Sequence, residues 1–108
     1  KPEIDFERLA SLRKALPELP LVLHGSSGTD IEDIRKVCSM GINKVNVSND
    51  LCRAAIEAAQ KNDFGGNAAY KFFATISNAI KQSLKELIKV YGSENKAWTV
   101  IPKGLNQQ

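Results

Sequence analysis

The 108 residues contain a single histidine, one methionine, one tryptophan and two cysteines, and aromatic side chains make up only 6% of the chain. Each scarcity excludes something. A catalytic zinc ion usually takes three protein ligands plus water. His24 alone cannot supply that set, and Cys38 and Cys52 lack metal-ligand spacing, so any such centre needs ligands from beyond these residues. Both cysteines fall inside predicted helices, where packing as reduced thiols in a cytoplasmic protein is the expectation. No stretch approaches the roughly 18 consecutive apolar residues of a membrane span. The first ten residues, KPEIDFERLA, are charged and lack the apolar core of a signal peptide; starting at lysine, they fit a processed or partial chain. The net charge of +3 is spread along predicted helix faces. With few aromatics among the basic residues, there is no platform for stacking bases, which argues against nucleic acid.

What is present is an alternation of helices and short apolar runs. Asp5 is placed to cap a helix whose Phe6, Leu9, Leu12 and Leu16 share one face. Pro17 and Pro20 break it, and LVLH (21–24) follows as a short, nearly continuous apolar run, the pattern of a strand covered on both sides. After GSSG, the run Thr29-Asp30-Ile31-Glu32 reads as a capping box with Thr29 as the cap. The helix it opens points Ile31, Ile34, Val37 and Cys38 inward and stops at Gly41. KVNV (44–47) is the second predicted strand, and Ser48-Asn49-Asp50 starts an alanine-rich helix suited to close packing on a sheet. NDFGGN (62–67) interrupts it. A long amphipathic helix then runs from about Ala68 to Tyr91, with Lys81, Lys85 and Lys89 on its solvated side, and the tail KAWTVIPKGLNQQ shows no periodicity. Strands joined through a helix should be parallel, with a right-handed crossover. Two parallel strands cannot cover both of their own faces, so the expectation is an α/β fold that is part of a larger sheet.

In parallel α/β folds ligands bind beyond the carboxyl ends of the strands. Both such ends are polar here: His24-Gly25-Ser26-Ser27-Gly28 and Asn46-Val47-Ser48-Asn49-Asp50. Strand alternation sets Asn46 and Ser48 on one side and Val45 and Val47 on the other, and makes His24 the last inward residue of its strand. GSSG leading into a helix start offers backbone N–H groups, two hydroxyls and the positive end of a helix dipole, a fitting cradle for a phosphate. The same turn chemistry also joins strands to helices with no ligand at all. For His24 the choice lies between a hydrogen-bonded core residue and a metal ligand or general acid/base.

Taken in order, PEIDFERL, PLVLHGSSG, GINKVNVSNDL and VYGSENKA resemble the class II, zinc-dependent ketose-bisphosphate aldolases, the fructose- and tagatose-bisphosphate aldolase family. The resemblance extends to about Ala97 and corresponds to roughly the last quarter of the family's TIM (β/α)8 barrel: its last two βα units and a long C-terminal helix. It implies that His24 is one of three histidine ligands to the catalytic Zn2+. It implies that Gly25, Ser27 and Ser26 bind a substrate phosphate, that Asn46 contacts the dihydroxyacetone phosphate part of a phosphorylated ketose, and that Ser48 and Asn49 complete the phosphate site. A monovalent cation, Na+ or K+, often sits near these loops in the family. Zinc there polarises the ketone oxygen for aldol cleavage, and fixed donors on the phosphate orient the reacting carbons.

Two positions depart from the family's habit. Ser26 stands where glycine or alanine is common, and Asn49 where a threonine or serine hydroxyl commonly meets the phosphate. The aspartate acid/base and two of the three zinc ligands have no candidate in this chain, so they are expected on the remainder of the barrel, and the chain alone is expected to be inactive. A homo-oligomer is expected from the long C-terminal helix. The alternative, of another class, is a non-catalytic phosphosugar-binding accessory subunit of the same family.

Overall fold

The computed structural model describes residues 2–66 and 68–97; the aperiodic tail from position 98 lies outside these. The elements are α1 (Phe6–Ala15), β1 (Leu21–Leu23), α2 (Ile31–Ser39), β2 (Ile42–Val45), α3 (Asn49–Gln60) and α4 (Ala69–Val90), a mixed α/β chain. Asp5 caps α1 as its position suggests, its carboxylate accepting from Arg8 N at 2.8 Å. The helix stops at Leu16, whose φ of −130° and ψ of 64° lie outside the helical region that Pro17 disfavours for its predecessor.

Arg13 then ties the following loop to the sheet. Its Nη1 donates to the carbonyls of Leu16, Pro17 and Leu19 at 3.2, 3.0 and 3.1 Å. Its Nη2 donates to Gly41 O at 2.6 Å and Asn43 Oδ1 at 3.1 Å. The same Asn43 oxygen accepts from Leu21 N at 3.0 Å, so one guanidinium and one amide fix where both strands begin. Gly41 has φ +103°, and a Cβ there would sit 2.7 Å from Arg13 Nε, so this close approach requires glycine.

The strands are parallel, with Leu21 opposite Ile42, Val22 opposite Lys44 and Leu23 opposite Val45, and an irregularity after the first pair. β2 begins two residues earlier than KVNV, but pairing continues beyond it: Asn46 N donates to Leu23 O at 3.1 Å. The buried core is small: Leu9 from α1 with Ile34 and Val37 from α2. Lys36 Nζ sits 3.8 Å from the Phe6 ring centroid and joins α1 to α2.

Four sequence expectations are corrected. The cap of α2 is Asp30, not Thr29: Asp30 Oδ1 accepts from Glu32 N at 3.0 Å, while Glu32 turns outward to Arg35 at 2.6 Å. Thr29 N is taken by Ser26 O at 3.1 Å, which draws Thr29 into the preceding turn. Ile31, in the first turn of α2, is exposed: the described residues leave more than half of it uncovered. The half-buried alanines 54, 55, 58 and 59 of α3 serve its extensive packing along α4 rather than against the strands. In turn Cys52 on α3 is exposed, so only Cys38 has the packed position expected of both.

α4 ends as its sequence suggests. Gly92 (φ +67°) follows the cap residue Tyr91, with Gly92 N bonded to Lys89 O and Ser93 N to Ile88 O at 3.0 Å each, a Schellman closure. The molecule spans 58 × 46 × 18 Å with a radius of gyration of 18.1 Å. A closed domain of this length would have about 13 Å. The result is an open slab on which Val22, Ile56, Tyr70 and Phe73 stay exposed.

Candidate functional site

Because the strands are parallel and pair Val22 with Lys44 and Leu23 with Val45 at their ends, both polar loops leave the same end of the sheet. His24 follows β1 and Asn46 follows β2, and the Asn46 amide nitrogen lies 2.9 Å from His24 Nδ1. Val22 and His24 are exposed on the face shared with Lys44, while Leu21, Leu23 and Val45 are half-buried on the other. The alternation argued from the sequence therefore puts His24 and Asn46 side by side at the strand ends.

The first loop is a tight turn. Gly25 and Gly28 take φ of +66° and +80°, and Thr29 N closes the turn onto Ser26 O. Ser26 is buried and, with Tyr91, lines a second cavity behind the turn. Ser27 Oγ donates to Asp50 Oδ1 at 3.2 Å. Arg53 Nη2 meets the same oxygen at 2.6 Å and offsets the carboxylate's charge beside the loop.

The second loop runs into α3. Ser48 is its cap residue but makes no side-chain capping bond, while its carbonyl accepts from Leu51 N and Cys52 N at 3.1 Å. The first N–H groups of a helix have no partner within the helix, and at α3 these belong to Asn49 and Asp50. Between the loops lies a cavity of about 190 Å³, lined by Gly25, Ser26 and Ser27 on one side and by Asn46 to Asp50 on the other.

The sequence profile described as "Fructose-bisphosphate aldolase class-II" matches residues 1–96. The chain belongs to the class-II fructose-bisphosphate aldolase family. It is 38% identical over 106 residues to a fructose-bisphosphate aldolase of Streptococcus pneumoniae, covering 87% of this chain and 36% of that protein. It is 36% identical over 97 residues to the protein YdjI of Escherichia coli K12, covering 90% of this chain and 34% of that one. A crystal structure described as the YdjI aldolase superposes with a TM-score of 0.82 over 90% of this chain and 37% of that chain. The aldolase-family chain thus spans about a third of the length of these relatives.

Every residue singled out in the two loops of this family member except His24 lines the cavity, and His24 adjoins it through Asn46. Asp50, Arg53 and Tyr91 were not singled out from sequence as neighbours of the first loop. The three-residue spacing of Asp50 and Arg53 on one helix face is a legible signal for their ion pair. Nothing in the spacing of Ser26 and Tyr91 announces that they line one cavity. Among the described residues no three His, Cys, Asp or Glu side chains come together in a metal-binding group. Nor is any described helix long and apolar enough to cross a membrane.

Burial pushes the Tyr91 phenol above its ordinary range, helped by the Asp50 and Cys38 charges and opposed by the Ser26 hydrogen bond. Burial likewise raises the Cys38 thiol. Both groups therefore stay protonated at neutral pH.

Proposed function

We propose that this chain is the C-terminal part of the (β/α)8 barrel of a zinc-dependent class II aldolase. The intact cytoplasmic enzyme would cleave a phosphorylated ketose reversibly to dihydroxyacetone phosphate and an aldehyde. The observation that carries the reading is the contact between His24 and Asn46 at adjacent strand ends, beside a cavity made by both loops. The exposed Val22 and the open slab support the barrel reading, since the uncovered face is the one that neighbouring strands would close.

In this reading His24 is one of three zinc ligands, and the other two, with the acid/base, come from the remainder of the barrel. A single imidazole at a strand end fits that partial role, and when bound the zinc supplies Lewis-acid polarisation of the ketone. Asn46, whose amide nitrogen lies 2.9 Å from His24 Nδ1, would steady the ring and meet the dihydroxyacetone phosphate part of the substrate. The phosphate enters the cavity between the loops, where the N–H groups of the 25–28 turn and of Asn49 and Asp50 converge at the start of α3. Ser48 and Asn49 contribute their side chains from the open side, and Gly25 permits close approach. The hydroxyl of Ser27 braces the turn through Asp50, leaving its backbone group to the phosphate. Carbonyls of these loops are the candidates for holding Na+ or K+. Holding the phosphate this way spends remote binding energy on orienting the bond to be cleaved. Self-association into a homo-oligomer through α4 belongs to the same proposal.

Aldol cleavage assayed on the intact protein, with and without a chelator, tests the reading. Cleavage should disappear on chelation and return with zinc. Chelator-resistant cleavage would sink the proposal, and phosphosugar binding without cleavage would assign the accessory role instead.

A further inference from the structure

Side-chain hydrogen bonds cross from the first loop to the second at two levels. At the strand ends the Asn46 amide nitrogen meets His24 Nδ1 at 2.9 Å. Further along both loops, Ser27 Oγ donates to Asp50 Oδ1 at 3.2 Å. Ser27 and Asp50 both line the cavity of about 190 Å³ between the loops, so this second rung spans the proposed phosphate site itself.

The two ends of that rung are held differently. Ser27 lies between Gly25 and Gly28, whose positive φ marks a stretch of wide backbone freedom. Behind its turn the second cavity opens between α2, α3 and the end of α4, with a volume of about 510 Å³, and Ser26, Gly28 and Asp50 line it. With open space there, point contacts rather than bulk packing set the position of the turn. Asp50 is anchored instead: it is the second residue of α3, and Arg53, one turn on, holds the same carboxylate oxygen at 2.6 Å. The Asp50 side chain is only 19% exposed, so water does not freely replace the Ser27 bond.

We infer that Asp50 is a positioning residue for phosphate binding: through Ser27 it holds the glycine-flanked turn at a set distance from the start of α3. The inference rests on the reading of that cavity as the phosphate site. The carboxylate acts through Ser27, and its own charge works against a bound anion. Positioning and charge therefore predict opposite signs when the carboxylate is removed.

Calorimetric titration of inorganic phosphate into the intact, zinc-loaded protein tests this. Asp50→Ala should weaken phosphate about five- to tenfold, the scale of one lost hydrogen bond. Asp50→Asn keeps an oxygen for Ser27 and should bind phosphate no weaker than about twofold below wild type, although it breaks the pair with Arg53 just as Asp50→Ala does. A merely structural role, resting on that ion pair or on charge at the helix start, would be lost in both variants. Ser27→Ala should reproduce the loss, and the double variant with Asp50→Ala should add nothing, because both changes delete the same interaction. Unchanged or tighter phosphate in Asp50→Ala, equal losses in Asp50→Ala and Asp50→Asn, or additive losses in the double variant would overturn the inference while leaving the site reading intact. Wild-type protein that binds no phosphate overturns the site reading itself, and the inference with it. If Asp50→Ala does not fold, Ser27→Ala set against Asp50→Asn carries the same test.

Discussion

Replacing Gly41 with alanine probes the joint between α1, the loop before β1 and the start of β2. The new Cβ would lie 2.7 Å from Arg13 Nε, closer than such atoms approach, and 3.4 Å from Cζ, at the edge of contact. With φ at +103° the backbone is also strained for any residue with a side chain, a cost of about 1–2 kcal/mol. Withdrawing Arg13 forfeits a part-buried 2.6 Å bond to Gly41 O and loosens four longer exposed ones. Exposed bonds count for little, so this loss is again about 1–2 kcal/mol. The sum is roughly 3 kcal/mol, which urea denaturation of the intact protein reads as a midpoint lower by about 1–2 M. In an Arg13→Ala background the clash is gone, and Gly41→Ala should cost only the backbone term. Equal costs in both backgrounds, or less than about 1 kcal/mol in the wild type, would refute the reasoning.

Asp30→Ala should destabilise by about 1 kcal/mol and Thr29→Ala by much less, since Asp30 rather than Thr29 caps α2. Paired denaturation curves check this, and a larger loss at Thr29 would contradict it. Burial raises the Tyr91 pKa above its value in the unfolded chain. The stability this group contributes is therefore fully present below the unfolded value of about 10 and is lost as pH rises through the folded one. Stability measured from pH 8 upward should fall above about 10, and Tyr91→Phe should reduce that fall.

Much of this was legible from local pattern. Asp5, Gly41 and the 3–4 spacing of α4 marked helix ends and faces because capping and periodicity are short-range. Strand parity sufficed to place His24 beside Asn46, since two parallel strands in register bring equivalent positions together. Adjacent candidates defeated the reading at Thr29 and Asp30, where both residues can cap and the turn closing on Ser26 decided between them. Periodicity also overstated burial at Ile31: it fixes a helix face but not whether the described residues cover that face. The direction of the Ser27 hydroxyl was illegible, because Asp50 reaches it only through tertiary packing.

The central claim is that His24 serves the metal while Asn46 serves the substrate. Zinc content and aldol cleavage, measured together on the intact protein and on His24→Ala and Asn46→Ala, test it most directly. The account predicts that His24→Ala loses both bound zinc and cleavage even with zinc in excess, whereas Asn46→Ala fills with zinc when the metal is in excess and still loses at least about tenfold in cleavage. Full zinc occupancy and undiminished cleavage in His24→Ala would contradict it.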